Sequence, residues 1–522
     1  MNRFFLVTIL LLSSTGCRVL TSASDQQVIE FAQTNGFESG NVVSAISVVP
    51  TPTPTPVAPS GRPSPLPTSL AIYPNLLLPD QTFFQQVAVS SSARKVFAHY
   101  MLALPLGGPN GGVQSAKQEI LMAQSMGLDG FALNGGAWFA DPKYQTTTAN
   151  LFAAAEQLNT GFLLFFSADL NGLQVPDIID MMTKYNRHPN YYHVDGLPML
   201  SSYAAGNGHD AQYPRPPDWW KNRILIPLQL LGINVYFVPD STTGPWDSVA
   251  ANLADWSGVI QGFIDWCVLG VINRDGGNWM VNSVSEANST ALAASHKTFM
   301  AAVVNQYWGS LQTSISRPFH DFQAGLGEQL QWEDIINVTH PQWVEILTWN
   351  DKEESYMMPV DDFMKYNDWG LPHGYYKPHA GYAELERYYI QWYKTGIKPT
   401  LTKDSIFYFY RTQTSNFIAS NDPRGDCYWF VPWESRPDQV YLTVSLTAPA
   451  TLTVNSGGVV MHQDLVAGIN QVHVPLNAGA QSFSLSRGSN SINSVQGEPV
   501  VSSGELYDYW LTTGFVETAP PK

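Results

Sequence analysis

The chain has 522 residues and a formal net charge of −16, from 43 acidic against 27 basic side chains. No run of Lys or Arg stands out, so the electropositive surface that neutralises phosphates is missing and nucleic acid is excluded as a partner. The length is enough for a catalytic domain and a smaller one. Charged residues are only 13 % while aromatics reach 12 %, with 16 Trp, a composition rich in groups that pack in cores and stack on the apolar faces of sugar rings.

Residues 1–17 read as an export signal. Arg3 precedes the apolar stretch Phe4 to Leu12, and Ser13-Ser14-Thr15-Gly16-Cys17 follows, with small residues where cleavage occurs and too few apolar ones to span a bilayer. Small residues before a Cys resemble the bacterial lipoprotein box, in which the Cys is lipidated, although Ser14 stands where Leu is usual. A plain secretory signal cleaved at the same place is the competing reading, and both send the protein out of the cytoplasm, to the cell surface, the outer membrane or the medium. Cys17 is thus the candidate lipidation site, through which the partner would be a membrane. Cys267 and Cys427 are then the remaining cysteines, expected as free buried thiols rather than a bridge. Residues 18–90, with Pro-Thr repeats between 50 and 68, read as a disordered tether.

Residues 91–404 alternate apolar runs with helix-like stretches, the signature of βα units. The runs are Val96 to Met101, Gly130 to Asn134, Phe162 to Ala168, Leu197 to Tyr203, Asn234 to Val238, Val259 to Asp265, Phe299 to Tyr307 and Val344 to Trp349. Helical patterns cover Val113 to Met126, Thr147 to Leu158 and Pro176 to Tyr185. Eight runs match an α/β fold of the (β/α)8 TIM-type barrel, whereas a doubly wound sheet lacks support because no Gly-rich phosphate loop follows the first run. Active sites of such barrels lie at the C-terminal ends of the strands. Substrate-binding candidates there are His99, Asn134, Asp169, Tyr203, Asp240, Asp265, Trp349 and Asn350. His188 and His193 are read as loop histidines, not metal ligands. Residues 405–522 carry regularly spaced short strands and turns, as in a small β-sandwich.

The eighth run ends in Trp349-Asn350-Asp351-Lys352-Glu353-Glu354. Glycosidic hydrolysis needs one carboxylic acid to protonate the leaving oxygen and a second carboxylate to activate water or attack the anomeric carbon. Asp351 and Glu354 are the right groups, and the competing reading is a loop pair capping the following helix.

The segments Val96-Phe97-Ala98-His99-Tyr100-Met101, Gly127-Leu128-Asp129-Gly130-Phe131-Ala132-Leu133-Asn134, Leu164-Phe165-Phe166-Ser167-Ala168-Asp169 and Thr348-Trp349-Asn350-Asp351, in this order, resemble the α-1,3-glucanases (mutanases) of glycoside hydrolase family 71 over residues 95 to 415. The resemblance implies a (β/α)8 barrel that hydrolyses α-1,3-glucan with inversion. It carries the family's essential carboxylates over to Asp351 and Glu354, and a further Asp over to Asp129. Asp129 opens the second strand, at the end away from the site, and is expected to be structural. The chain departs from the family pattern at Lys352, where an aromatic is usual, and at Glu353, where Gly is usual. Charge added there would alter subsites or linkage preference.

The expectation is a tethered, exported, endo-acting glycoside hydrolase on α-1,3-glucan or a related α-glucan, with Glu354 as general acid and Asp351 as general base. It would need no cofactor or metal and would be a monomer whose partner is the polysaccharide. The competing functions are a barrel hydrolase of α-mannan and a surface glycan-binding lipoprotein without turnover.

Overall fold

Strands form where the apolar runs lie, because side chains buried on both faces suit a sheet covered by helices. A computed structural model describes residues 94–108, 111–203, 216–240, 249–266, 273–274, 277–278, 285–310, 317–351, 355–358, 377, 379–423, 427–429 and 438–518. Among them, β1 (Lys95–Met101), β2 (Gly130–Asn134), β3 (Leu163–Asp169), β4 (Leu197–Tyr203), β5 (Tyr236–Pro239), β6 (Gly262–Ile264), β7 (Thr298–Val304) and β8 (Trp343–Leu347) form a curled parallel sheet. The pairing runs β4-β3-β2-β1-β8-β7-β6, with β5 on the free side of β4. An isolated parallel bridge, Asp240 to Ile264, joins the end of β5 to β6. Each of the eight runs read from the sequence coincides with one strand, with ends displaced by at most three residues.

Between the strands lie α1 (Gly112–Ser125), α2 (Pro142–Leu158), α3 (Val175–Tyr185), α4 (Val249–Trp256) and α5 (Glu286–Ala294); α6 (Ala324–Asp334) precedes β8 and α7 (Ala380–Thr395) follows it. Helix α2 starts five residues before the expected Thr147. Asp141 caps it by accepting the Lys143 N–H at 3.0 Å, and Pro142 suits the first helical position. Alternation along β1 shows how the sheet is used. Phe97 and His99 face its concave side, where they meet Phe165 and Trp266, while Tyr100 faces α1 and donates to Glu119 at 2.8 Å. Asp129 sits at the start of β2, accepting the Val96 N–H at 2.8 Å and pairing with Lys394 of α7 at 2.7 Å. It therefore ties strand to helix at the end remote from the strand exits.

The C-terminal part is β-rich. Its strands are β9 (Ser405–Arg411), β10 (Gln413–Ala419), β11 (Gln439–Leu446), β12 (Ala450–Ser456), β13 (Val459–Leu465), β14 (Gly468–Pro475), β15 (Gly479–Arg487), β16 (Asn490–Gly504) and β17 (Leu511–Glu517). They make one sheet in the order β14-β11-β9-β17 and another in the order β10-β16-β15-β12-β13. Ile406, Leu442 and Val444 from the first share a core with Leu452, Phe483 and Leu485 from the second. Strand β9 alternates, because Ile406 and Tyr410 enter that core whereas Phe407 and Phe409 join the core of the α/β part. Arg411 follows the same side, pairing with the fully buried Asp321 at 3.0 Å and lying over Phe319. No described helix is long and apolar enough to cross a membrane.

Several acids are buried in the helical layer. Burial pushes Asp265 up to about 8 and Asp334 up to about 7. Glu328 and Glu386 share Asn305 between α6 and α7; burial pushes Glu386 up to about 7 and, with the Glu386 charge, raises Glu328. The folded state holds protons on these groups that the unfolded chain releases near the ordinary carboxylate range. Their stabilising contribution is complete at acidic pH and is lost as pH rises through about 7 to 8. Calorimetry should show Tm falling by roughly 3–6 °C between about pH 5.5 and 8.5, with a flatter profile in Glu386→Gln.

Candidate active site

Strands β8, β1, β2 and β3 are neighbours, and Glu345, His99, Asn134 and Asp169 from them lie on the concave face. His99 Nδ1 lies 2.8 Å from Glu345 Oε1. Asn134 Nδ2 is 3.2 Å from His99 Nε2 and 3.3 Å from Asp169 Oδ2. Asn134 Oδ1 accepts the Gly136 N–H at 3.1 Å, and Asp169 Oδ1 accepts the Asn171 N–H at 3.0 Å. The loops after β2 and β3 touch at Gly136 and Gly172, where any side chain at 172 would collide with the Gly136 carbonyl. His99 packs edge-on against Trp266 at 4.3 Å, and Tyr203 meets the same indole at 5.0 Å. All of these side chains are buried.

The segment after β8 is anchored to the end of β1. Trp349 N–H donates to the His99 carbonyl at 2.7 Å. The Asn350 carboxamide accepts the Met101 N–H at 2.7 Å and donates to the carbonyls of Met101 at 3.2 Å and Leu104 at 2.9 Å. Asp351 N–H donates to Thr348 Oγ1 at 2.8 Å, and Asn350–Asp351 forms a short antiparallel ladder with Ser355–Tyr356. Asp351 is thereby held, 5 % exposed, at the same end of the sheet as His99, Asn134 and Asp169.

The structure thus brings together His99, Asn134 and Asp169, with Tyr203 beside them through Trp266. Asp240 is fully buried at the exit of β5, its N–H donating to the Ser202 carbonyl at 3.0 Å. Three expected substrate contacts are placed differently. Asp265 turns to the helical layer, where it accepts from Ser285 Oγ and from Ala302 N, each at 3.0 Å. One step along a strand reverses the face, so Trp266 takes the concave position instead. Trp349 is fully buried on the helix side, packing on Phe131 at 5.3 Å and donating to Glu119 Oε1 at 3.2 Å. Asn350 spends its amide on backbone groups. Both therefore position the loop, a role sequence reading had not assigned, and the same holds for Glu119, which also accepts the Leu106 N–H at 3.2 Å. Glu345 was missed as well, although a lone Glu inside Trp-Val-Glu-Ile-Leu is the signal that could have flagged it. Of the loop histidines, His188 packs on Phe152 at 4.7 Å and His193 bonds the Tyr191 carbonyl at 2.8 Å. Glu354, Cys17, Cys267 and the Cys427 side chain lie outside the described residues.

A curled α/β sheet that gathers buried acids and amides at its strand exits, with an acid anchored after the last strand, is the layout of a glycoside hydrolase. Residues 92–519 match glycosyl hydrolase family 71, and the chain belongs to that family. It is 26 % identical to the glucan endo-1,3-alpha-glucosidase agn1 of Schizosaccharomyces pombe, over 77 % of this chain and 90 % of that protein. It is 28 % identical to a mutanase of Penicillium rubens, over 82 % of this chain and 91 % of that protein. A solved GH99 endo-alpha-mannosidase from Bacteroides thetaiotaomicron aligns with a TM-score of 0.43 at 13 % identity, over 58 % of this chain and 98 % of that one. That likeness is too distant to carry an argument.

These placements separate two kinds of side chain. Asp265→Asn copies the protonated acid, so it should keep kcat/KM within about threefold and remove part of the alkaline loss of stability. Asn350→Ala strands the Met101 N–H and should cost about 1–3 kcal/mol in denaturant unfolding, as well as lowering turnover. A collapse of activity in Asp265→Asn would return that residue to the substrate side.

Proposed function

We propose that the chain is an exported endo-α-1,3-glucanase that cleaves with inversion. The observation that carries this reading is the anchoring of Asp351 after β8, beside the acid and amide groups at the exits of β1, β2 and β3. Family membership and the names of the two fungal relatives supply the substrate class. In this reading Glu354 protonates the departing glycosidic oxygen and Asp351 takes a proton from the attacking water. The two carboxyls would stand about 6.5–9.5 Å apart to leave room for that water. His99, Asn134, Asp169, Tyr203 and Asp240 would bound the site that receives the glucosyl ring.

We read the curled sheet as closing into a (β/α)8 barrel over residues 91–404; the Asp240 to Ile264 bridge, which links the two ends of the pairing path, supports this. The shared core of the two C-terminal sheets supports a β-sandwich over residues 405–522. Export rests on residues 1–17, and a lipid at Cys17 with the Pro-Thr tether of residues 18–90 would hold the enzyme at a membrane while it reaches insoluble glucan.

Asp351→Asn and Glu354→Gln each remove a proton-handling group with little change in volume. Each should lower kcat on α-1,3-glucan by about a thousandfold or more, with Tm within about 3 °C of the wild type. Near-normal turnover in both variants would sink the assignment, and a large loss of Tm would favour the capping role instead. For the anchor, bacterial expression with the native signal should put the protein in the membrane fraction, and Cys17→Ala should release it. Wild-type protein that is soluble and begins at another residue would rule the anchor out.

A further inference from the structure

Glu345 lies in the middle of β8, fully buried on the concave face, and the proposed reaction gives it no part. Its Oε2 has no hydrogen-bond partner among the described residues, and its Oε1 meets His99 alone. A buried carboxylate with so few partners is costly, so its placement calls for a use.

The direction of every hydrogen bond in this chain of groups can be deduced. A backbone N–H can only donate, so the atom of Asn134 that faces Gly136 N at 3.1 Å is the carbonyl oxygen. The Asn134 NH2 group therefore faces His99 Nε2 at 3.2 Å and Asp169 Oδ2 at 3.3 Å. A donor amide requires a lone pair on His99 Nε2. The imidazole hydrogen must then sit on Nδ1, pointing at Glu345 Oε1 2.8 Å away. Glu345 supplies the acceptor that this tautomer needs at Nδ1, because a carboxylate accepts and cannot donate, and so selects it together with the Asn134 amide. With the hydrogen on Nε2, two donors would face each other, and the Asn134 amide would have to turn, giving up Gly136 and Asp169.

We propose that Glu345 is a positioning residue that fixes His99 as the Nδ1–H tautomer and, through Asn134, orients the Asp169 carboxylate toward the hydroxyls of the bound sugar. The inference rests on the proposed function for its substrate. Its physical core is a chain of donors and acceptors across β8, β1, β2 and β3, rigid because the Trp266 indole holds the imidazole plane and the Trp349 N–H holds the His99 carbonyl.

The test is Glu345→Gln in the full chain, whose carboxamide can turn its NH2 group to Nδ1. Nitrogen NMR of histidine-labelled protein, with His99 assigned from a His99→Gln sample, should show Nδ1–H in the wild type and a shift toward Nε2–H in the variant. On soluble α-1,3-linked gluco-oligosaccharides, kcat/KM should fall about tenfold or more while Tm stays within about 3 °C. A merely structural role would move Tm and leave the tautomer alone. Wild-type His99 carrying its hydrogen on Nε2 overturns the proposal, as does a variant that keeps Nδ1–H, or a switched tautomer with unchanged kcat/KM. A wild type that leaves α-1,3-glucan intact would instead defeat the substrate reading, and the nitrogen spectra would still decide the tautomer. If Glu345→Gln fails to fold, the same spectrum and kcat/KM in Glu345→Ala, which removes the acceptor, decide.

Discussion

The carboxamide of Asn350 is the constraint on which the exit of the sheet depends. Strand β1 ends at Met101, and past that point its buried N–H and carbonyl, with the half-buried carbonyl of Leu104, turn to the segment after β8. Asn350 satisfies all three with one side chain. An unmet buried backbone group costs about 1–3 kcal/mol, so the arrangement is strongly preferred. Neither Asp nor Leu could replace it, since Asp would set a carboxylate against two carbonyls and Leu would leave the Met101 N–H and the Leu104 carbonyl without this partner, the Met101 carbonyl keeping only the Leu104 N–H at 3.0 Å. The three residues of the Trp-Asn-Asp segment thus divide the work. Trp349 reaches outward to Glu119 on α1, Asn350 reaches sideways to β1, and Asp351 is held at the mouth through its N–H bond to Thr348.

Buried acids fall into two sets that differ in what surrounds them. In the helical layer, Asp265, Asp334, Glu328 and Glu386 meet few cations, and burial raises each of them. They act as neutral hydrogen-bonding groups at mildly acidic pH, and their ionisation works against the fold as pH rises. On the concave face, Glu345 and Asp169 are linked through His99 and Asn134 instead. The joint to the C-terminal sheets uses a third solution, an Arg411 to Asp321 ion pair backed by a hydrogen bond from Tyr441 at 3.1 Å. Breaking a buried pair strands a charge, so this joint resists separation of the two parts.

Much of the α/β part was legible because its strands are short apolar runs punctuated by turn residues, and burial on both faces writes that pattern directly. Strand exits were legible for the same reason, which is why His99, Asn134 and Asp169 could be placed at one end of the sheet, where they meet. The face of each exit residue was harder to read. Asp265 and Trp266 are neighbours, and the register of β6 against β7 decides which of them enters the concave side. Trp349 and Asn350 looked like sugar contacts because aromatics and amides commonly serve that purpose, yet their bonds go to Glu119 and to the β1 backbone. The parts played by Glu119 and Glu345 could not be assigned from sequence, since the bonds from Glu119 to Trp349 and from Glu345 to His99 each span more than 200 positions. Helix α2 began early because the cap formed by Asp141 outweighed the polar first turn that follows it.

In the proposed reaction Asp351 activates water on the face of the sugar opposite the leaving group. The direct measurement is proton NMR of the first products released from a soluble α-1,3-linked gluco-oligosaccharide, before mutarotation sets in. An inverting pair predicts the β-anomer as the initial product. The α-anomer would contradict this, because retention requires a carboxylate that attacks the sugar itself and stands only about 5–5.5 Å from the acid.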